Sequence, residues 1–320
     1  MLKWLEVSGD FECNNRCLGC FSQSDGGPRM STAEVLENLR LGRAAGARWL
    51  WIGGGEPTLR KDLFAIALSA RKLGYSRVKL QTNGMMLAYP DYAARCVDAG
   101  VTEVNFAIKG ATAEVHDRLT RTPGCFDLLC RAVAGWAARG LPGDGDVLVY
   151  RSTAAGLPEV VRGFCDRGVQ RFNLWLLSVA EGADPAAHAE VPRIGEVMPH
   201  IARALALGLS TRPDFITSLH TPPCTVPVGA SACLFHAEAL DLLVANPGGY
   251  RFRLEQSPIE GGAYLPGCAR CQLRARCGGP RADYLARFGE AEFVPITDGV
   301  PRLLPLLRDV EGDTWRPGPP

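Results

Sequence analysis

The sequence predicts an α/β protein: a partial (β/α)6 barrel followed by a small, loop-rich, cysteine-rich domain. Two observations predict it. Short β-branched or aromatic runs alternate with amphipathic stretches at roughly 25–45 residue spacing, the pattern of βα units and a parallel sheet. After about residue 208 the alternation stops, and proline, glycine and cysteine rise. About six units fit before Leu207. A flat doubly wound sheet would show the same periodicity, so the pattern alone leaves both architectures open.

The predicted strands are 4–7, 49–52, 78–81, 101–108, 147–150 and 172–177, each rich in β-branched or aromatic residues. Between them 32–45, 63–73 and 92–99 carry the spacing of amphipathic helices. Ser31 with Glu34 three residues on forms a capping box for the first. Beyond residue 208 the expected strands are short, 241–244 and 250–254, and one helix runs through Tyr284-Leu285-Ala286-Arg287. A segment so rich in loops would struggle to build its own core, and a bound metal would supply the missing stabilisation. The division expected is a core over 1–208 and an auxiliary segment over 209–320, with a flexible tail at 315–320.

Composition narrows the class. Hydrophobic residues make up 47%, enough for a sizeable core. A formal net charge of +1 gives no electrostatic argument for nucleic acid. No apolar run approaches the ~20 residues of a membrane span, and the N-terminus shows no signal-peptide pattern. A cytoplasmic enzyme is expected. The twelve cysteines stand out, and eight fall in two regions: 13, 17 and 20, then 224, 233, 268, 271 and 277. Short spacing without a secretory context reads as metal ligation rather than disulfides. Cys96, Cys125, Cys130 and Cys165 lie apart and read as structural thiols.

Cys13-x3-Cys17-x2-Cys20 lies just after the first strand. Three thiolates can hold three irons of a cubane and leave the fourth open to an outside ligand; a zinc site is the competing reading. Gly53-Gly54-Gly55-Glu56-Pro57-Thr58 follows the second strand. Its glycines allow close backbone approach, and Glu56 can accept hydrogen bonds from an ammonium group. Alone, it would read as a strand-to-helix connection. Thr82-Asn83-Gly84 follows the third strand and also reads as a plain turn.

Together these motifs resemble the radical S-adenosylmethionine (SAM) superfamily, over about residues 1–208. The resemblance implies a partial barrel with one [4Fe–4S] cluster on Cys13, Cys17 and Cys20 and SAM at the C-terminal mouth. It implies that Gly54, Gly55 and Glu56 bind the methionine amine, and that Thr82 and Asn83 lie near the ribose. Two departures stand out. Gly19 occupies the place of an aromatic residue before the third cysteine, with Phe21 just after it. The fourth strand ends Ala107-Ile108-Lys109-Gly110, where many relatives have Ser-Leu-Asp-Gly; Lys109 is then a candidate for the SAM carboxylate, with Arg151 a second one.

Cys268-x2-Cys271-x5-Cys277, followed by Gly278-Gly279-Pro280-Arg281, resembles the auxiliary-cluster region of SPASM and twitch radical SAM enzymes. The position of a fourth SPASM cysteine falls on Arg281. One auxiliary [4Fe–4S] cluster is expected, with Cys224 or Cys233 as its remaining ligand and Cys224 preferred because Pro222-Pro223 stiffens the chain before it. Four cysteines would favour electron transfer; three would leave an open iron. His116 is expected to anchor the loop after the fourth strand, and His220 is a candidate to face the active site.

The function expected from this resemblance is hydrogen abstraction by a SAM-derived 5′-deoxyadenosyl radical, with a peptide (RiPP-type) substrate slightly preferred. A strand starting near residue 3 leaves no leader-binding module before the barrel, which weighs against it. A dehydrogenase or epimerase of a small metabolite is the alternative. A non-catalytic iron–sulfur carrier and a zinc-stabilised binding protein are readings of another class; the Gly-Gly-Glu-Pro run discriminates, because a carrier has no need to bind a methionine amine. The expected partner is an external one-electron donor of the flavodoxin or ferredoxin type.

Overall fold

Six parallel strands lie side by side in chain order, and that order decides between the two architectures left open by periodicity. In the computed structural model, which describes residues 2–21, 28–179, 183–209, 214–227, 230, 233–257 and 261–297, the strands are β1 (Trp4–Ser8), β2 (Trp49–Gly53), β3 (Arg77–Thr82), β4 (Glu103–Ile108), β5 (Gly143–Val149) and β6 (Arg171–Leu176). Each pairs with the next, without the reversal of direction that defines a doubly wound sheet. The winding is that of a partial (β/α) barrel, and the sheet stays open rather than closing.

Strands from beyond residue 208 lengthen the same sheet at both edges. β7 (Ile216–Leu219) and β8 (Leu234–Phe235) continue in parallel beyond β6. β9 (Leu242–Ala245) pairs in parallel with β1, and β10 (Arg251–Arg253) runs antiparallel to β9. The tail at 315–320 lies outside the described residues.

The helices follow the strands: α1 (Thr32–Ala44), α2 (Leu63–Lys72), α3 (Pro90–Asp98), α4 (Ala113–Thr120), α5 (Cys125–Ala137), α6 (Leu157–Cys165), α7 (Pro185–Ala189), α8 (Ile194–Leu209) and α9 (Ala282–Phe288). The capping box at Ser31 and Glu34 forms, with both reciprocal hydrogen bonds. Strand residues alternate sides. Leu5, Val7, Leu50, Ile52, Val78, Leu80, Val104, Phe106 and Ile108 join the main apolar core. The alternate residues are aromatic or polar. Lys79 lies over the rings of Trp4 and Trp51, at 5.0 and 4.9 Å from their centroids. Asn105 donates to Asp146 at 3.0 Å, Asn173 to the other oxygen of Asp146 at 2.9 Å, and Thr217 to Asn173 at 2.8 Å. This polar belt crosses β4 to β7.

It also explains a strand that begins four residues before its expected start. Gly143-Asp144-Gly145-Asp146 opens β5, although glycine and aspartate disfavour strands. Asp144 pairs with Arg171 at 2.7 Å on the belt side. The glycines lie on the other side, where a Cβ on Gly145 would come within 2.8 Å of Ile108.

Among the described residues the C-terminal segment shares its apolar clusters with the barrel strands and helices. Tyr284 and Phe293 belong to the main apolar cluster, and the Tyr284 hydroxyl accepts the Ile194 N–H at 2.8 Å.

Candidate functional site

Cys13, Cys17 and Cys20 ride on the loop leaving β1, and buried groups hold that loop at both ends. At its base Arg60, 5% exposed, donates to the carbonyls of Gly9 and Met30 and pairs with Asp10 at 3.2 Å. At its crown the N–H of Arg16 donates to Thr120 O at 3.0 Å and that of Leu18 to Leu119 O at 2.8 Å. The Tyr150 hydroxyl donates to Leu18 O at 3.0 Å. Gly19 has φ +73°, and a Cβ there would stand 3.0 Å from Val179 and 3.1 Å from Leu177. An aromatic side chain before the third cysteine therefore has no room, and Phe21, half exposed, lines the cavity instead.

The glycine-rich turn after β2 packs directly beneath the cysteine loop. The N–H of Gly55 donates to Asp10 O at 2.9 Å and that of Glu56 to Glu12 O at 2.7 Å. A Cβ on Gly55 would sit 2.1 Å from Glu12 O, and one on Gly54 2.5 Å from Asp10 O. These glycines thus admit the neighbouring loop as well as any ligand. Glu56, 1% exposed, accepts from Thr58 N–H at 3.0 Å, from the Thr58 hydroxyl, from the Thr82 hydroxyl at 2.7 Å and from Asn83 N–H at 2.8 Å. Burial pushes its carboxyl upward, and those four donors pull it back. The Asn83 amide also donates to Asn14 Oδ1 at 2.7 Å, tying the Thr82-Asn83-Gly84 turn to the cysteine loop.

These parts surround one cavity of about 1080 Å³ at the C-terminal mouth of the strands. Cys13, Cys17, Cys20, Gly54, Gly55, Glu56, Thr82, Asn83 and Lys109 all line it. Burial raises the Cys13 thiol to about 12 and raises Cys17 as well, with the Lys109 ammonium opposing the latter. Lys109 and Cys17 line the same cavity, and the ammonium favours the ionised thiol, the form a metal requires. The Lys109 N–H donates to His116 Nδ1 at 3.2 Å, which places His116 where a loop anchor was expected. Arg151 is not brought to the cavity: its side chain is 62% exposed and pairs with Glu196 at 3.7 Å.

The residues present fit an iron–sulfur cluster with SAM. The donor set is three thiols on one loop, and Asn15 N–H donates to Cys13 Sγ at 3.4 Å. Among the described residues no three Cys, His, Asp or Glu side chains converge tightly enough for a single metal ion. A mononuclear zinc needs its thiolates gathered at ~2.3 Å from one centre, whereas a cubane spreads them.

A second cysteine pocket, of about 380 Å³, is lined by Cys224, Cys268, Cys271 and Cys277. Gly279 N–H donates to Cys277 Sγ at 3.3 Å. Burial raises Cys224 to about 12, and Cys277, Cys271 and Cys268, which border the same pocket, add to that rise. Cys233 is not among them: it is 1% exposed inside the main apolar core.

Between the two cysteine sites lies a chamber of about 730 Å³. It shares His220 and Arg281 with the first cavity, and Pro222 and Tyr264 with the cysteine pocket. His220 holds a left-handed φ of 64°, a strained conformation for a residue with a side chain, and its ring lies 5.9 Å from Trp175. Burial, with Arg281 and His236 nearby, holds its imidazole well below the usual range, so it is neutral. Arg281, 4% exposed, donates to Leu176 O at 2.9 Å and Leu177 O at 3.2 Å and pairs with Asp283. Sequence reasoning met Arg281 only as a missing cysteine. It is the residue that ties the segment after Cys277 to the end of β6.

Residues 11–162 match the family model described as the radical SAM superfamily. The chain is 31% identical over 205 residues to a probable GTP 3′,8-cyclase of Methanopyrus kandleri, covering 62% of this chain and 65% of that protein. It is 34% identical over 155 residues to the mycofactocin maturase MftC of Mycobacterium tuberculosis, covering 47% and 38%. The chain thus spans less than two thirds of either relative. Among solved structures, Streptococcus suis SuiB bound to SAM superposes with a TM-score of 0.67 at 14% identity, over 94% of this chain and 77% of that one. His-tagged anSMEcpe with bound AdoMet gives 0.65 at 14% identity, over 88% and 87%. At these identities the likeness shows the fold.

Proposed function

We propose that this chain, whose residues 11–162 match the radical SAM superfamily, is a radical SAM enzyme that modifies a peptide held in the chamber between its two cysteine sites. The observation that carries the proposal is adjacency: the chamber shares wall residues with the first cavity and with the cysteine pocket. When bound, the cluster and SAM would supply a 5′-deoxyadenosyl radical able to take hydrogen from an unactivated C–H bond. In this reading Cys13, Cys17 and Cys20 hold that cluster. Glu56, Gly54 and Gly55 orient the methionine end, and Thr82 and Asn83 shape the wall beside it. Lys109 favours the Cys17 thiolate and stands ready for a carboxylate. Cys224, Cys268, Cys271 and Cys277 close the shell of one auxiliary [4Fe–4S] cluster, which favours electron relay over substrate ligation. Residues 1–208 serve as the core and 209–320 as the auxiliary segment.

A peptide is preferred because of what relatives and neighbours are: a mycofactocin maturase, SuiB bound to precursor peptide SuiA, and anSMEcpe with bound peptides. The likeness to a probable GTP 3′,8-cyclase supports a second reading, with a nucleotide in the chamber. Electrostatics weigh against it. The chamber carries Glu238 and Glu255, and its Arg281 is already engaged by two carbonyls and Asp283. A triphosphate there would meet carboxylates with little free positive charge.

The test is anaerobic turnover with deuterated candidate peptides and, separately, with GTP. Label appearing in 5′-deoxyadenosine from a peptide, with a mass change in that peptide, is the expected result. Turnover of GTP with no peptide reacting would give the second reading its place.

A further inference from the structure

Between Gly261 and Ala282 the chain has four arginines and no carboxylate, although its overall formal charge is only +1. Arg281 is buried, but Arg270, Arg274 and Arg276 are exposed. They sit on two short helical turns, Pro266–Arg270 and Arg274–Arg276, threaded between the ligand candidates Cys268, Cys271 and Cys277. None of the three makes an ion pair among the described residues. Arg274 lies over Tyr264, its guanidinium 4.9 Å from the ring centroid, and the Tyr264 hydroxyl donates to Cys277 O at 2.6 Å. Glu238, on the chamber side, is the carboxylate that acts on Tyr264. Arg270 and Arg276 line neither the chamber nor the cysteine pocket, so their charge faces outward.

We propose that this arginine face is the docking surface for a small acidic one-electron carrier protein, which exchanges electrons with the auxiliary cluster beneath it. The proposal rests on the four-cysteine reading given above. Positive charge that no ion pair among the described residues offsets raises the encounter rate with an acidic partner and favours orientations that bring its cofactor close to this pocket. In the reducing direction one electron leaves a reduced flavodoxin and the auxiliary cluster passes from its 2+ to its 1+ state.

The experiment uses the iron-loaded protein and a recombinant acidic flavodoxin, with electron transfer followed by stopped flow and binding of oxidised flavodoxin by calorimetry. Arg270→Glu with Arg276→Glu should slow the reaction and weaken binding by at least ~10-fold at low ionic strength, with the difference closing as salt screens it. Arg270→Gln with Arg276→Gln should fall between that variant and the wild type. Iron content, and reduction by uncharged photoreduced 5-deazariboflavin, should not change. Equal rates and equal salt dependence in all three proteins would overturn the proposal. So would loss of affinity for a hexaglutamate peptide with flavodoxin unaffected, which would give the face to an acidic peptide. A wild type holding only about four irons would instead fail the auxiliary-cluster reading itself, and the docking proposal with it.

Discussion

Glu56 ties two turns together in this structure and is proposed to meet a methionine ammonium, and one pair of variants separates the two roles. Its carboxylate gathers four donors from two elements, Thr58 after β2 and Thr82 with Asn83 at the end of β3. Glu56→Ala leaves the buried N–H groups of Thr58 and Asn83 without a partner; the two hydroxyls can rotate elsewhere. At about 1–3 kcal/mol for each stranded donor, the loss is about 2–6 kcal/mol, a large part of the 5–15 kcal/mol that holds a typical domain together. Glu56→Gln keeps one oxygen. Placed where Oε1 now serves Thr58 and Thr82, it strands only the Asn83 N–H, at about 1–3 kcal/mol. The Gln variant therefore folds and retains its clusters while lacking the charge proposed to meet the methionine ammonium. That contact is worth about 1.5–3 kcal/mol, or roughly 10–150-fold in SAM affinity. Denaturant melts and SAM titration of the iron-loaded proteins give both numbers. A Gln variant that loses stability as stated but binds SAM within about twofold of wild type would make Glu56 a structural tie alone.

Four further predictions follow from the arrangement of these residues. Wild type should hold about eight irons, Cys13→Ala/Cys17→Ala/Cys20→Ala about four, and Cys224→Ala should lose the auxiliary electron paramagnetic resonance signal. Cys233→Ala should keep that signal and cost about 1 kcal/mol of stability, since its thiol fills the apolar core. Gly55→Ala drives a Cβ to 2.1 Å from Glu12 O, so it should part the glycine turn from the cysteine loop and lower iron retention; full retention would show the loop can yield. His116 is depressed to about 4 by burial and by Lys109, against the opposing pull of Asp117. The unfolded chain therefore takes up a proton that the native state refuses, and stability should decline as pH falls from about 6.5 towards 4. His116→Asn, whose amide oxygen can accept the Lys109 N–H, should flatten the slope in that window relative to wild type.

What could be read from the sequence and what could not divide along a physical line. β1, β2, β3 and β6 were legible because each carries its own β-branched or aromatic run, and the grouping of Cys13, Cys17 and Cys20 on one loop because they lie within eight residues. The missed features depend on partners distant in the chain. Gly143-Asp144-Gly145-Asp146 becomes a strand only when Arg171 and Asn173 receive its carboxylates and Ile108 crowds its glycines. β9 reads as a short strand, yet nothing local says that it pairs with β1. Arg151 was chosen because it ends a strand at the barrel mouth, but the backbone turns it outward toward Glu196, while the preceding Tyr150 goes inward to hold the cysteine loop. Cys224 and Cys233 could not be distinguished beyond the stiffness of two prolines, because the distinction is burial: Cys224 is half-buried and lines the cysteine pocket, whereas Cys233 lies within the apolar core. Arg281 shows the limit most sharply. Compared with a cysteine pattern it counts as a lost ligand. In the fold its guanidinium reaches the carbonyls that end β6, so the same residue that departs from four-cysteine SPASM spacing joins the auxiliary pocket to the barrel mouth. In the proposed auxiliary site Cys224, from a segment more than fifty residues earlier, takes the place of the cysteine absent at 281. In that proposal the fourth ligand comes from the loop after β7, while Arg281 borders the chamber and holds the end of β6.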